Sequence, residues 1–264
     1  MDVGAAIFLT GDVEHPARLA QRLEDAGYES LMLTEHTHIP VSAGMVDRTG
    51  GPLAEYYRRT HDPFIALAFA AAATEQLVIG TSVCLVIQHD PIVLAKQISS
   101  LQNLSGGRFV FGVGAGWNKP EMRNHGTDPA TRHGDMRERV EAMQAIWRDD
   151  EAAYHGKHVD FDPIWQWPKP LEGKVPVYVG GNGPRVEDRE LRYADGWMPN
   201  MPDVDELARR VTALRERAER HVPVIYYGAK ADNLDEVRDA GVDHALIVLP
   251  SGPEADVLAS IPSL

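Results

Sequence analysis

The sequence predicts an α/β fold, a (β/α)8 TIM barrel with loop excursions at the C-terminal face of the strands. Eight strand-like runs alternate with roughly eight helix-like runs along the chain. Several helices pass to the next strand through a similar stretch: AGYESLML, SGGRFVFG, ADGWM and AGVDHALIV. With 264 residues and 44% hydrophobic content, the chain can bury one large core, so we expect a single domain over residues 1–264. A doubly wound open sheet is the alternative, but no GxGxxG motif follows the first strand.

The spacing of apolar residues and the turn residues between them place the elements. Strands are predicted at 4–9, 30–34, 77–82, 109–113, 175–179, 196–198, 222–226 and 244–249. Helices are predicted at 16–26, 62–74, 90–104, 132–147, 185–193, 203–220, 233–240 and 254–260. Asp90 should cap its helix, with Pro91 in the first position. The polar segment 35–60 is too long for an ordinary connection and predicts a functional loop. The aromatic segment 155–172 is predicted to be an irregular excursion packed over one end of the barrel.

Composition limits the class of partner. The formal net charge of −13 argues against nucleic acid, because its phosphates would be repelled. Cys84 is the only cysteine, so the chain can form no internal disulfide and gives no sign of an oxidising compartment. No segment approaches membrane-spanning length, and the apolar run near the N-terminus lacks the basic flank of a signal peptide. We therefore expect a cytoplasmic protein that acts on a small molecule.

Glycines follow the fourth predicted strand, in the stretch GGRFVFGVGAGW at 106–117. Because Gly112, Gly114 and Gly116 lack a Cβ, the backbone can approach a ligand closely and adopt positive φ. Such a turn can hold a phosphate or a flat ring. It can equally be a tight strand-to-loop turn in which the glycines serve packing, and these residues alone leave both interpretations open.

Active sites of such barrels lie at the carboxyl ends of the strands. The residues predicted there are mostly glycines, aromatic residues and amides, and the one titratable cluster comprises Glu35, His36 and His38. The chain has no carboxylate pair suited to glycoside hydrolysis, no HExxH metal motif, no nucleophile elbow and no Walker loop. This pattern predicts no metal site and favours a large flat cofactor that supplies the chemistry.

Four separated motifs occur in order after the predicted strands: TEHTHIP; IGTSVCLVIQHDPIVLAKQISSLQNLSGGRFVFGVGAGW; NHGTD with a following arginine; and VYVGGNGPR with ADGWMPN. Over about residues 1–200 the chain thereby resembles the bacterial luciferase-like family (LLM class), most closely the branches that use the deazaflavin coenzyme F420. The resemblance implies a barrel with an isoalloxazine-type ring over the strand ends, and often a homodimer.

The resemblance also implies roles for individual residues. His36 corresponds to the catalytic histidine that faces the ring, and Glu35 to its acidic neighbour. Ser82 and Val83 correspond to the cis peptide bond without proline that supports the ring. The remaining cofactor-binding positions follow the fourth and fifth strands: Gly114, Ala115, Gly116 and Trp117, and the phosphate cradle of Gly180, Gly181, Asn182 and Gly183. Related sugar-phosphate dehydrogenases have a catalytic glutamate where Ala115 stands, so glucose 6-phosphate is not the expected substrate.

Other residues have weaker signals. Cys84 is expected to be a small apolar filler, and Trp147 fits the core face of its helix. Three polar residues could line the tail of the cofactor or serve as helix-start and loop residues: Asn118, His125 and Arg132. Three tryptophans could wall a substrate pocket: Trp117, Trp165 and Trp167.

The leading hypothesis is an F420-dependent oxidoreductase that passes a hydride between the deazaflavin and an organic substrate. His36 would exchange a proton with the substrate, assisted by Glu35. The second hypothesis is an FMN-dependent monooxygenase that receives reduced flavin from a separate reductase. A third is a flavin-binding protein without catalytic activity. A cofactor-free phosphate-binding isomerase is the fourth, but the mouth lacks the acid and base residues it would need.

Overall fold

Parallel strands form a barrel at the centre of the computed structural model, which describes residues 1–13, 15–41, 46–47 and 50–261. The described strands are β1 (Asp2–Ile7), β2 (Ser30–Leu33), β3 (Val78–Cys84), β4 (Phe109–Val113), β5 (Ala152–His155), β6 (Asp160–Ile164), β7 (Val177–Gly180), β8 (Gly196–Met198), β9 (Ile225–Ala229) and β10 (His244–Val248). All except β5 and β6 belong to one eight-stranded sheet, in the order β8-β7-β4-β3-β2-β1-β10-β9. The first and last strands of this order meet where the Trp197 N–H donates to the carbonyl of Pro223 at 3.1 Å and the Tyr227 N–H donates to that of Pro199 at 2.9 Å. The sheet is thus nearly closed, and the predicted TIM barrel is confirmed.

Helices cover the outside of the barrel because each parallel pair of strands needs a crossover connection. The described helices are α1 (Pro16–Asp25), α2 (Pro63–Ala73), α3 (Pro91–Leu104), α4 (Lys119–Asn124), α5 (Arg132–Arg148), α6 (Val186–Tyr193), α7 (Val204–Arg217), α8 (Leu234–Asp239) and α9 (Glu254–Ala259). Asp90 caps α3 as predicted, since its carboxylate accepts the Val93 N–H at 2.9 Å. Within the described residues, no helix combines the length and the apolar character needed to cross a membrane.

The segment 155–172 differs from the prediction. It contains β6, which pairs antiparallel with β5 as a separate two-stranded sheet. The Glu138 carboxylate on α5 accepts the His158 and Val159 N–H groups, and the Gln166 amide donates to the Ile92 carbonyl on α3. The hairpin therefore lies against the outer helices rather than over an end of the barrel. These strands have only four and five residues, and the β6 sequence DFDPI contains a proline, which argues against a strand in sequence-based reasoning.

Two further details were predicted incorrectly. The short helix α4 follows the glycine-rich stretch, where the sequence analysis placed only a loop. Strand β9 begins at Ile225, three residues later than the predicted 222–226. Most other boundaries lie within two residues of their predicted positions, as expected for elements assigned from periodicity.

The amino-terminal end of the barrel contains a largely buried hydrogen bond between Ser30 Oγ and His244 Nε2, 2.8 Å apart. Gly4 on the intervening strand β1 leaves space for this hydrogen bond, because a Cβ there would collide with both side chains. Burial lowers the pKa of His244 from 6.5 to about 4. The imidazole is consequently neutral in the folded protein at neutral pH, and it is protonated more readily in the unfolded chain.

We expect this histidine to make folding sensitive to acid. Between pH 6.5 and about 4 the unfolded chain binds a proton at His244 that the folded chain does not. The free energy of unfolding therefore falls as pH decreases through this window, by at most about 1.4 kcal/mol per pH unit. The variant His244→Gln should lose less stability over that range than the parent protein. Urea unfolding at pH 7, 6 and 5 measures the difference. Identical slopes for the parent and His244→Gln would contradict this account.

Candidate functional site

A cavity of about 800 Å³ lies at the carboxyl ends of the strands, and residues at or after all eight barrel strands line it. The predicted catalytic pair, Glu35 and His36, and every predicted cofactor-binding residue except Asn182 contribute to its wall. The parallel direction of the strands explains this convergence, because residues far apart in sequence end at the same rim.

Val83 forms the floor of the cavity. The Ser82–Val83 peptide bond is cis, as the resemblance implied. A Cβ on Gly114 would lie 2.5 Å from one Val83 methyl group, and a Cβ on Gly180 would lie 2.6 Å from the other. The two glycines of neighbouring strands thus leave the space that the Val83 side chain fills. The cavity floor is therefore apolar and built by three strands.

Gly116 has φ +68°, in the left-handed region that favours glycine. A Cβ there would contact Met122 Cε at 3.3 Å and Leu85 Cδ2 at 3.5 Å. A side chain at 116 would therefore press on packed residues rather than enter the cavity. The backbone of Gly116 faces the cavity, and its conformation explains why glycine occupies this position.

His36 lies directly after β2 and is almost completely buried at the cavity wall. Its Nδ1 is 2.9 Å from Oε2 of Glu121, a carboxylate with only 1% exposure. Helix α4 positions that carboxylate in its first turn, where the Asn118 side chain caps the helix by accepting the Glu121 N–H at 3.2 Å. When Glu121 is ionised, Nδ1 of His36 is the donor, and neutral His36 presents its lone pair at Nε2. Nε2 makes no hydrogen bond to any described residue.

Glu35 does not pair with His36. Its carboxylate accepts the Leu85 N–H at 2.6 Å and lies 2.8 Å from His89 Nε2. Burial would raise the pKa of Glu35, but His89 and the Leu85 N–H together lower it. Glu35 therefore fixes the backbone at the end of β3, and Glu121, which the sequence analysis did not identify, is the acidic partner of His36.

Cys84 lies beside this pair and is completely buried. Burial, followed by the charge of Glu35, raises the pKa of its thiol well above the ordinary value. The thiol is thus protonated at neutral pH, which agrees with the predicted role as an apolar filler.

One end of the cavity is cationic. Arg132, His133 and Arg189 line it, and in each of them a buried nitrogen has no hydrogen-bond partner among the described residues. Burial, then the charges of Arg189 and Arg132, lower the pKa of His133 to about 4. This end therefore has positive charge and unused donors, the arrangement that an anion requires. Sequence analysis proposed Arg132 for the cofactor tail but missed the other two residues.

The Asn182 side chain is hydrogen-bonded within the protein and does not line the cavity. Its amide nitrogen donates to the Asn200 carbonyl, and its oxygen accepts the Asn200 N–H at 2.9 Å. These bonds join the loops after β7 and β8, and so they hold Gly181 and Gly183 in place at the cavity edge. Asn118 and His125 likewise have other roles: Asn118 caps α4, and His125 lies 2.9 Å from the Thr37 hydroxyl.

The opposite side of the cavity is aromatic. Phe8, Tyr56 and Tyr57 form a cluster with ring centroids 4.7 to 4.9 Å apart. The Tyr57 ring is also 5.2 Å from His36 and 6.1 Å from Trp117. Sequence analysis identified only Trp117 of this wall.

The other tryptophans lie elsewhere. Trp165 and Trp167 follow the β5–β6 hairpin and are 79% and 56% exposed. Neither lines the cavity, contrary to the sequence-based expectation. Trp147 is buried in the core as predicted, and its indole N–H donates to the Ala95 carbonyl at 3.1 Å.

Known proteins are similar to this chain in sequence and in fold. The chain is 35% identical over 274 residues to an uncharacterized protein of Mycobacterium tuberculosis, covering 100% of this chain and 97% of that protein. An F420-dependent secondary alcohol dehydrogenase, solved with an F420–acetone adduct, superposes with a TM-score of 0.77 at 17% identity, covering 99% of this chain and 98% of that chain. The oxygenating constituent of 3,6-diketocamphane monooxygenase from Pseudomonas putida, in complex with FMN, superposes with a TM-score of 0.69 at 20% identity. This match covers 87% of this chain and 67% of that chain.

The sequence model of the luciferase-like monooxygenases matches residues 3–251, nearly the whole chain. Together with the barrel and the cavity at its mouth, this match shows that the chain belongs to the luciferase-like monooxygenase family.

Proposed function

We propose that this chain is an F420-dependent oxidoreductase that exchanges a hydride with a small organic substrate. The observation that supports the proposal best is the combination, in one cavity, of an apolar floor at Val83, a cationic end and a buried histidine. A deazaflavin has a flat ring, an anionic tail and a carbon that exchanges hydride, and each part has a matching region here. The preference for F420 over FMN rests on the four sequence motifs.

The residues of the cavity fit such a cofactor. Val83, Gly114 and Gly180 would lie under the ring, where a larger side chain at either glycine would displace the floor. The unpartnered nitrogens of Arg132, His133 and Arg189, with the backbone of Gly181 and Gly183, would bind the phosphate and tail. When bound, the deazaflavin supplies hydride transfer at C5.

His36 would accept or donate the proton that accompanies hydride transfer. In the oxidising direction, Nε2 accepts the proton of a substrate hydroxyl as the neighbouring carbon loses its hydride. In the reducing direction, Nε2 returns a proton to the carbonyl oxygen. Glu121 stabilises the imidazolium that forms, because its carboxylate is hydrogen-bonded to Nδ1 and buried with it.

An FMN-dependent monooxygenase is the second candidate. The FMN-bound relative from Pseudomonas putida shares the fold, and a flavin ring with its phosphate would use the same floor and cationic end. In that case a separate reductase would supply the reduced flavin.

We further propose that the protein is a homodimer. Helix α2 is apolar on almost every side, and its Ile65 and Phe69 side chains remain 64% and 51% exposed. A second copy packed against this face would remove both side chains from water.

The choice of cofactor can be tested directly. We expect purified protein to bind F420 more tightly than FMN at equal salt, as measured by fluorescence titration of each ligand. Submicromolar affinity for FMN without detectable F420 binding would exclude the leading proposal and favour the monooxygenase.

The cationic end of the cavity should contribute to the affinity only for ligands that carry a phosphate. Arg189→Met should weaken binding of F420 and FMN at least about tenfold, because a charge-assisted contact to phosphate is lost. Binding of riboflavin, and of the deazaflavin chromophore without its phosphate tail, should change by less than about twofold. Calorimetry on the four ligands gives the comparison. The matched control is Arg192→Met, an exposed arginine on the same helix. Equal losses for ligands with and without phosphate would remove Arg189 from the anion site.

His36 and Glu121 should act as a pair in turnover. With F420 and a secondary alcohol, the substrate named for the F420-dependent relative, we expect His36→Ala to lower kcat about 10²-fold. Glu121→Gln should lower kcat about tenfold and shift its pH profile, because the imidazolium loses its counter-charge. Absorbance of the deazaflavin follows the rate, and unchanged F420 affinity shows that the site is intact. Full activity in His36→Ala would exclude it from proton transfer.

A further inference from the structure

The strand order separates the cavity into two halves. In the nearly closed ring β8-β7-β4-β3-β2-β1-β10-β9, the pair β7 and β8 lies opposite the pair β2 and β1. Arg189 and the loops at Gly181 and Asn200 follow β7 and β8. His36 and the aromatic cluster follow β2 and β1. A cofactor anchored at its anionic end by the first half would extend across Val83 on β3, and the second half would be left for the substrate.

The substrate half has an aromatic surface. Phe8, Tyr56 and Tyr57 pack against one another, and Tyr57 connects this cluster to His36 and Trp117. Rings of this kind favour apolar, flat or ring-shaped groups, because such groups bury area without leaving polar atoms unpaired.

The described residues of the same half provide no countercharge for an ionic ligand. Among the described residues that line it, the ionisable groups besides the tyrosines are His36 and Glu35. His36 is paired with Glu121, and Glu35 is paired with His89. The other half contains the unpartnered buried nitrogens of His133 and of the cationic residues Arg132 and Arg189. A charged substrate would therefore be buried beside aromatic rings without a partner, which is unfavourable.

We infer that the β1–β2 half of the cavity binds an uncharged, largely apolar substrate, one hydroxyl or carbonyl oxygen of which meets Nε2 of His36. This inference rests on the proposed function for the assignment of the other half to the cofactor. It excludes carboxylates, phosphates and ammonium compounds as the reacting molecule.

Three probes of one shape test the inference: cyclohexanone, cyclohexanecarboxylate and cyclohexylammonium. Calorimetric titration of each into F420-loaded and cofactor-free protein gives the affinities. We expect cyclohexanone to bind at least about tenfold more tightly than either charged probe. Tyr57→Ala should weaken cyclohexanone at least about fivefold, whereas Tyr57→Phe should retain binding because the ring remains. Tyr154→Ala, on the outer hairpin, is the matched control and should bind like the parent protein.

Several outcomes would overturn the inference: a charged probe that binds as tightly as cyclohexanone, unchanged affinity in Tyr57→Ala, or no binding of cyclohexanone up to about 10 mM. The proposed function fails separately. If neither F420 nor FMN binds but cyclohexanone shows the expected pattern on cofactor-free protein, the substrate assignment stands and the cofactor assignment falls. If F420 binds and cyclohexanecarboxylate binds more tightly than cyclohexanone, the cofactor assignment stands and the substrate assignment falls.

Discussion

The cavity depends on how closely β3 approaches its neighbours at Val83. The side chain of Val83 occupies the space that a Cβ at Gly114 or Gly180 would fill, so the floor requires glycine on two other strands. Each glycine follows or ends a strand whose pairing is fixed by backbone hydrogen bonds, and β4 pairs with both β3 and β7. The apolar floor is thus a property of three strands, and no single loop determines it.

Charge is distributed unevenly above this floor. Positive groups with unused donors lie on the side of β7 and β8, whereas the side of β1 and β2 has aromatic rings and ionisable groups already paired. The overall charge of the chain is −13, so the cationic end is a local exception. A ligand with an anionic end and a neutral flat part has one favourable orientation in such a cavity, with its anionic end on the cationic side and its flat part toward the aromatic side.

Sequence reasoning predicted the barrel well because period-2 and period-3.6 patterns record which side of each element is buried. It identified His36 as part of a titratable cluster shortly after β2, whereas Ser82 and Val83 were identified through the resemblance to the luciferase-like family. It failed where contacts join distant segments. Arg189 and His133 lie on helices, and Tyr57 lies in the long loop after β2, so no local pattern connected them with the cavity. The expected pairing of Glu35 with His36 was wrong, because the Glu35 carboxylate contacts the Leu85 N–H and His89, whereas the His36 imidazole contacts Glu121.

The glycine-rich stretch after β4 connects the floor to the proton-transfer pair. Gly114 leaves room for Val83, and two residues later the positive φ of Gly116 turns the chain toward Asn118. Asn118 then caps α4, and the first turn of that helix places Glu121 beside His36. The cap fixes where this helix begins, and hence where its first turn places the buried carboxylate. The glycine-rich stretch that resembles a cofactor-binding loop therefore leads directly into the helix that positions the histidine, so the acidic partner of His36 comes from beyond β4 and not from its own loop.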